Sequence, residues 1–128
     1  MMVLFTRVLV GALGLLFLAI GAGLLLNTTE AAANMGLVEL AAAGRGTVRA
    51  DIAGFFVGGG IIQLMAALRQ NPGLLWPVQL LVLLALLGRC LTLIVDGPIA
   101  AGIASMGVEV VILLLLAWCK RIWGSAAH

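Results

Sequence analysis

Charged side chains are scarce in this chain. They make up 9% of its 128 residues, whereas 64% of the residues are hydrophobic. Soluble domains carry about 25% charged residues. With a mean hydropathy of +1.27, the chain has too few charges to cover the surface of a water-soluble fold. The composition therefore excludes a soluble globular protein and indicates an integral membrane protein.

Residues that bind metals or perform catalysis are also few. The two cysteines, Cys90 and Cys119, are predicted near opposite faces of the bilayer, so they should not pair, and His128 is the only histidine. No residues stand at the spacing of a metal site or a Ser-His-Asp triad. The net charge is +2, with no basic patch beyond Lys120-Arg121. We therefore expect no metal, no cofactor, no nucleic-acid partner and no enzymatic activity.

What the sequence does contain is four long apolar stretches. They are continuous and do not alternate as the strands of a membrane barrel do. A membrane-crossing helix needs about 20 such residues. The first stretch exceeds the apolar core of a signal peptide, about 7–15 residues, so we interpret it as a helix. The sequence thus predicts an all-α, four-helix transmembrane bundle in one domain, with spans at about 4–26, 47–69, 73–96 and 99–122.

The segments between the spans are short. Residues 30–43 are rich in alanine and predict a short helix at the membrane surface; a continuing helix or a loop is the alternative. Gly44-Arg45-Gly46 predicts a break before the second span. Gln70-Asn71-Pro72-Gly73 and Asp96-Gly97-Pro98 predict tight turns.

Small residues recur at helical spacing on two of the predicted spans. Gly11, Gly14 and Gly21 share a face of the first span, and Gly54 and Gly58 form a small-xxx-small step on the second. Such faces let another helix approach closely. We expect the Gly54 and Gly58 face to pack against a helix of this chain or across an interface.

Basic residues near the span ends predict the orientation. Four of them fall at one end of the predicted bundle: Arg7, Arg69, Lys120 and Arg121. Arg45 and Arg49 fall at the other end. Because cytoplasmic loops carry the excess of Lys and Arg, both termini are predicted to be cytoplasmic.

Five charges are predicted in the outer half of the bundle: Arg49, Asp51, Arg89, Asp96 and Glu109. Arg89 precedes Asp96 by seven residues, which places it about 10 Å into the membrane along a helix. An arginine within the hydrocarbon costs about 3 kcal/mol on insertion scales. We therefore predict that Arg89 is paired, with Glu109 first and with Asp96 or Asp51 second.

This charged group admits three functional interpretations. It is an ion pair that fixes the helix register, or an outward-facing polar pocket for a lipid head group or small polar ligand. The third interpretation is proton or ion translocation, for which Gln63 is the one candidate for a polar path to the inner side.

Two short motifs carry a family resemblance. The stretch Arg49-Ala50-Asp51-Ile52-Ala53-Gly54, together with Gly88-Arg89 and the later Asp96-Gly97, resembles the DUF4345 family of small bacterial four-helix membrane proteins. The likeness covers about residues 6–118 and implies this topology and a shared polar cluster, without a reaction. A weaker likeness is to small four-helix membrane proteins that act as scaffolds for enzymes.

These observations favour a non-enzymatic accessory or scaffold subunit in a bacterial cytoplasmic membrane. Its expected partners are membrane lipids and other membrane protein subunits or a second copy of itself. The alternative is a binder or carrier of a lipid or small amphipath, with its pocket around Arg89.

Overall fold

The computed structural model describes residues 1–126, and His128 lies outside them. Within this range the chain is helical and has no strand. The α-helices are α1 Met2–Leu26, α2 Thr28–Ala33, α3 Ala42–Thr47, α4 Ala53–Arg69, α5 Leu75–Val95 and α6 Ala100–Ala126. A π-helical segment, Val48–Ile52, joins α3 to α4, and a 3₁₀ turn, Pro72–Leu74, leads into α5.

Four helical stretches are long and apolar enough to cross a membrane. They are Met2–Leu26, Ala42–Arg69, Pro72–Val95 and Ala100–Ala126. The chain is therefore an all-α, multi-pass membrane protein with the four spans that its sequence predicts. The second span begins earlier than predicted, at Ala42, and the fourth extends further, to Ala126.

The connection between the first two spans differs from its prediction. α2 ends at Ala33, and residues 34–41 are not helical, so the helix predicted over residues 30–43 is wrong. Gly36 stops α2 with a φ of +83°, its amide donating to Ala33 and that of Leu37 to Ala32, in a Schellman arrangement. The break predicted at residues 44–46 is also wrong, because these residues lie inside α3.

The two tight turns occur where they were predicted. Gln70 ends α4 in the left-handed region with a φ of +50°, and the Asn71 Oδ1 accepts a hydrogen bond from the Gly73 amide at 2.9 Å. Gly97 follows α5 with a φ of +86°, a backbone conformation that favours glycine. These turns set α4, α5 and α6 in alternating directions.

α1 and α4 form the closest helix pair, through glycine. A Cβ on Gly60 would lie 2.7 Å from the Gly14 carbonyl oxygen, and one on Gly21 would lie 2.6 Å from the Val57 Cγ2 atom. The prediction that the glycine face of the first span admits another helix is thus confirmed at Gly14 and Gly21. Beside this contact Phe17 packs edge-to-face on Phe56, with ring centroids 5.3 Å apart.

The second glycine face points elsewhere. A Cβ added to Gly54 or Gly58 would meet nothing within 4 Å, so the prediction that this face packs against another helix of the chain is wrong. Gly58 is two residues from Gly60, roughly 200° around an α-helix, and Gly60 faces α1 instead. Packing of the Gly54 and Gly58 face across an interface remains a prediction.

All four spans meet at one end of the bundle. There the Trp123 Nε1 donates to the Thr6 Oγ1 at 2.8 Å, and both side chains are buried. The Arg7 guanidinium donates to the Ala67 and Leu68 carbonyls, which end α4 without helical partners. Trp123 is 1% exposed, and Thr6 satisfies its N–H inside the core.

The α5–α6 hairpin is enclosed by other helices at that end alone. Its buried residues are Leu75, Val78, Val82, Leu116, Cys119 and Trp123. No residue between 83 and 115 is buried. At the far end the buried cluster comes from α1, α2, the π-helical segment and α4: Leu24, Ala32, Val48 and Ala53. The far half of the hairpin therefore presents most of its surface outward.

The glycine contacts predict opposite effects for two neighbouring substitutions. Gly60→Ala should lower the melting temperature in detergent, because the new methyl group collides with the α1 backbone and overpacking costs about 1–3 kcal/mol. Gly58→Ala is the matched control and should be neutral or slightly stabilising, since alanine favours helix by about 1 kcal/mol over glycine. Circular dichroism melts measure both. Equal melting temperatures for the two variants would contradict the α1–α4 contact.

Candidate functional site

The structure makes one ion pair from the five charges that the sequence grouped together. The Arg89 Nε lies 2.8 Å from the Glu109 Oε1, so the predicted pairing of these residues is confirmed. Within residues 1–126, Arg49, Asp51 and Asp96 form no ion pair. The side chain of Arg49 donates to Thr28 instead. The prediction of a single charged group thus holds only for Arg89 and Glu109.

The Arg89–Glu109 pair joins α5 to α6 in the outward-facing half of the hairpin. The Glu109 side chain is 14% exposed and the Arg89 side chain 44% exposed. The nearby hydroxyls do not contact the pair: Thr92 donates to the Gly88 carbonyl and Ser105 donates to the Ala101 carbonyl, each on its own helix. The carboxylate is therefore covered, and the guanidinium lies at the surface of the hairpin.

The pair leaves much hydrogen-bonding capacity unused. Only the Nε of Arg89 donates to Glu109, and neither Nη atom has an acceptor among residues 1–126. The Glu109 Oε2 is buried and has no donor there. An arginine fork and a carboxylate can form two parallel hydrogen bonds, so this single contact satisfies neither group. The unsatisfied N–H groups lie on the more exposed member of the pair.

Two open pockets formed by residues 1–126 are lined by neither Arg89 nor Glu109. One is an apolar groove of about 270 Å³ between α1 and α6. The other is polar, has a volume of about 340 Å³, and lies where α1, α2 and α3 meet. The alternative interpretation from the sequence placed a polar pocket around Arg89, and the polar pocket instead surrounds Arg45 and Arg49.

The polar pocket brings together residues that sequence reasoning did not combine. It is lined by Leu26, Asn27, Thr28, Thr29, Glu30, Arg45 and Arg49. The usable signal was the spacing of Arg45 and Arg49, since residues four apart share one face of a helix. The break predicted at residues 44–46 hid that signal, because it removed Arg45 from the helix.

Gln63 lies in the α1–α4 contact. It is fully buried, and neither its Oε1 nor its Nε2 has a hydrogen-bond partner in residues 1–126. Its Cβ is 3.1 Å from the position of a Cβ on Gly14. No hydrogen bond of the described residues links Gln63 to the Arg89–Glu109 pair. The polar path required for the translocation interpretation is therefore not formed by these side chains.

Comparison with protein-family models, with curated proteins and with solved structures finds no match for this chain. The resemblance to the DUF4345 family stays a prediction.

The unequal burial of the pair predicts unequal effects of removing its members. Arg89→Leu should destabilise the protein by about 3–5 kcal/mol, because it leaves a covered carboxylate unpaired. Glu109→Leu should cost less, because the more exposed arginine can extend toward the membrane surface. The double variant should recover most of the loss, since replacing a whole buried pair by apolar residues is often neutral. Denaturant unfolding in detergent measures all three variants. A double variant no more stable than Arg89→Leu would refute the pairing.

Proposed function

We propose that this protein is a non-enzymatic accessory subunit of a bacterial cytoplasmic membrane. It packs against another membrane protein through the far half of its α5–α6 hairpin. The observation that supports this most is the absence of any buried residue between 83 and 115, combined with an ion pair on that surface. Lipid alone can cover the apolar part of the surface, so the argument depends on its polar part.

The unsatisfied guanidinium supports a protein partner at this surface. Arg89 is six residues from the end of α5 at Val95, about 9 Å along the helix axis. While its Nε donates to Glu109, Arg89 is held at that depth and cannot extend to the membrane surface. Acyl chains there offer no hydrogen-bond acceptor, and each unsatisfied polar group in hydrocarbon costs several kcal/mol. A carboxylate or a free carbonyl on a neighbouring helix satisfies the Nη donors at that depth.

The surface around the pair also admits a close helix. A Cβ on Gly88 or Gly107 would meet nothing within 4 Å, and one on Gly102 would meet only Ile99, at 3.9 Å. Gly88 is the residue before Arg89, and Gly102 lies seven residues, or two helical turns, before Glu109 on the same face of α6. Gly107 is two residues from Glu109, roughly 200° around the helix, and faces away from the pair. Small residues let a second backbone approach closely in membranes, where contacts depend on packing and on interhelical hydrogen bonds. The ion pair together with Gly88 and Gly102 suits a partner helix.

Photo-crosslinking tests the proposed partner surface. In a Cys90→Ala, Cys119→Ala background, a benzophenone is attached at Leu93→Cys on α5 and, as the matched control, at Leu25→Cys on α1. The native side chains are 38% and 44% exposed, and both lie near the same end of the bundle. Irradiation of native membranes should give a discrete larger adduct from position 93 and not from position 25.

The second part of the crosslinking experiment asks whether the adduct depends on the ion pair. Adding Arg89→Gln, in protein that circular dichroism shows to be folded, should reduce the adduct from position 93 several-fold, because the intramembrane hydrogen bond to the partner is lost. Similar adducts from both positions, or an adduct unaffected by Arg89→Gln, would contradict the proposal. An adduct of twice the mass of the chain would identify a second copy as the partner.

The proposed orientation places both termini in the cytoplasm. Arg7 contacts the last turn of α4, and Lys120 lies 5.6 Å from the centre of the Trp76 ring at the start of α5. The basic residues predicted to lie together are thus at one end, which the positive-inside rule assigns to the cytoplasm. A reporter fused after residue 128 should be active only in its cytoplasmic form. Activity of a periplasmic reporter there would reverse the orientation.

A further inference from the structure

A second polar site lies at the opposite end of the bundle from Arg7. We call it the Arg45–Arg49 pocket; its polar lining comes from Asn27, Thr28, Thr29, Glu30, Arg45 and Arg49. Its volume of about 340 Å³ falls at the small end of the range of ligand sites, about 300–1,000 Å³. The pocket is separate from the surface proposed for the protein partner, since α5 and α6 contribute nothing to its lining.

The π-helical segment sets the position of one arginine. The Ala53 amide donates to the Val48 carbonyl, five residues earlier, so the helix is locally wider than an α-helix. Such segments occur often at functional sites. Within it the Arg49 Nε donates to the Thr28 Oγ1 at 2.9 Å, and Thr28 is 4% exposed and itself donates to the Leu24 carbonyl. Arg49 is thus held by its Nε, and neither of its Nη atoms has an acceptor among residues 1–126.

The second arginine is held in a similar way. The Arg45 Nη1 donates to the Leu40 carbonyl at 2.9 Å, which leaves the Nε and the Nη2 without acceptors in residues 1–126. Glu30 lines the same pocket, yet within the described part of the chain it forms no ion pair with either arginine. Two guanidinium groups and one separate carboxylate therefore line one cavity, an arrangement that matches a ligand with an anionic and a cationic part.

We propose that the Arg45–Arg49 pocket binds the phosphoethanolamine head group of a phospholipid. The two guanidinium groups suit a phosphate, whose oxygens they contact in a planar fork. The Glu30 carboxylate suits the primary ammonium group, which donates hydrogen bonds to it.

The surroundings of the pocket fit a lipid. It lies where the first span ends and the second begins, which is the level of phospholipid head groups. Leu26, which lines the pocket, is 83% exposed and continues into the apolar surface of α1, along which acyl chains can lie. A soluble phosphate ester would make no use of that apolar edge.

Retention of lipid by the full-length protein tests the proposal. The protein is released from phosphatidylcholine nanodiscs containing equal amounts of phosphatidylethanolamine and phosphatidylglycerol, and bound lipids are counted by native mass spectrometry. Phosphatidylethanolamine should be retained in preference to both others. Phosphatidylcholine lacks an ammonium N–H donor for Glu30, and phosphatidylglycerol places no cation there.

Three variants assign the preference to named side chains. Arg45→Gln should lower retention of phosphatidylethanolamine about tenfold, the effect expected on losing one charge-assisted hydrogen bond. Glu30→Gln should keep phospholipid binding but abolish the preference for phosphatidylethanolamine over phosphatidylglycerol. Arg69→Gln, an exposed arginine at the opposite end of α4, is the matched control and should change nothing. Circular dichroism verifies that each variant is folded.

Two results would overturn the proposal. The first is equal lipid retention by the native protein and Arg45→Gln, or an equal loss in Arg69→Gln, which would mean that lipid binds by charge alone. The second comes from calorimetry with soluble O-phosphoethanolamine and inorganic phosphate on protein in nanodiscs that contain phosphatidylethanolamine. Binding of either compound that depends on Arg45 and displaces the lipid would identify a soluble phosphate as the ligand. Failure of the lipid test leaves the crosslinking result at the α5–α6 hairpin unaffected, since the two sites share no residue.

Discussion

The lack of hydrogen-bonding solvent between the spans is the constraint on which this structure depends. Every polar group inside a membrane must find its partner within protein, or it costs several kcal/mol. At the end where the four spans meet, this is achieved: Arg7 donates to the free carbonyls that end α4, and Trp123 donates to Thr6. Without hydrophobic attraction between helices in lipid, close packing must hold the spans together. The backbone contact between Gly14 and Gly60 supplies it.

The other end of the molecule departs from this rule at its proposed sites. The buried side chain of Gln63 in the α1–α4 contact, which has no partner in residues 1–126, is a departure outside those sites. Arg89 and Arg49 each use one nitrogen on a protein partner and keep the rest of the guanidinium available. Glu109 keeps a buried oxygen without a donor. One end is thus built for stability, while the other keeps polar groups whose partners must come from outside the described residues. Local stability and function are commonly divided in this way, since binding regions come from the less stable parts of a fold.

The sequence predicted the features that follow from hydropathy and from the depth of a charged residue in the membrane. The four spans and both tight turns appear as expected, and the pairing of Arg89 with Glu109 follows from two charges at similar depth on consecutive helices. The sequence does not predict which face of a helix turns toward its neighbour, because several glycine faces satisfy the same spacing rule. Gly58 and Gly60 look equivalent in sequence, and only packing against Gly14 and Leu18 selects the face of Gly60. The Arg45–Arg49 pocket was missed for a related reason, since it needs α3 to be helical and a π-helical turn behind it.

The geometry of the ion pair favours the proposed docking site over a purely structural link. A pair that only fixed helix register would be expected to close both hydrogen bonds between the guanidinium and the carboxylate, because a half-satisfied buried network is worse than an apolar one. Here a single hydrogen bond of 2.8 Å joins the two groups, and the Nη atoms of Arg89 have no acceptor among residues 1–126. Two well-packed apolar side chains in place of Arg89 and Glu109 would hold α5 to α6 at least as well. The cost of the open pair is compensated once a neighbouring helix supplies acceptors at the same depth, so the pair makes physical sense as half of an interface.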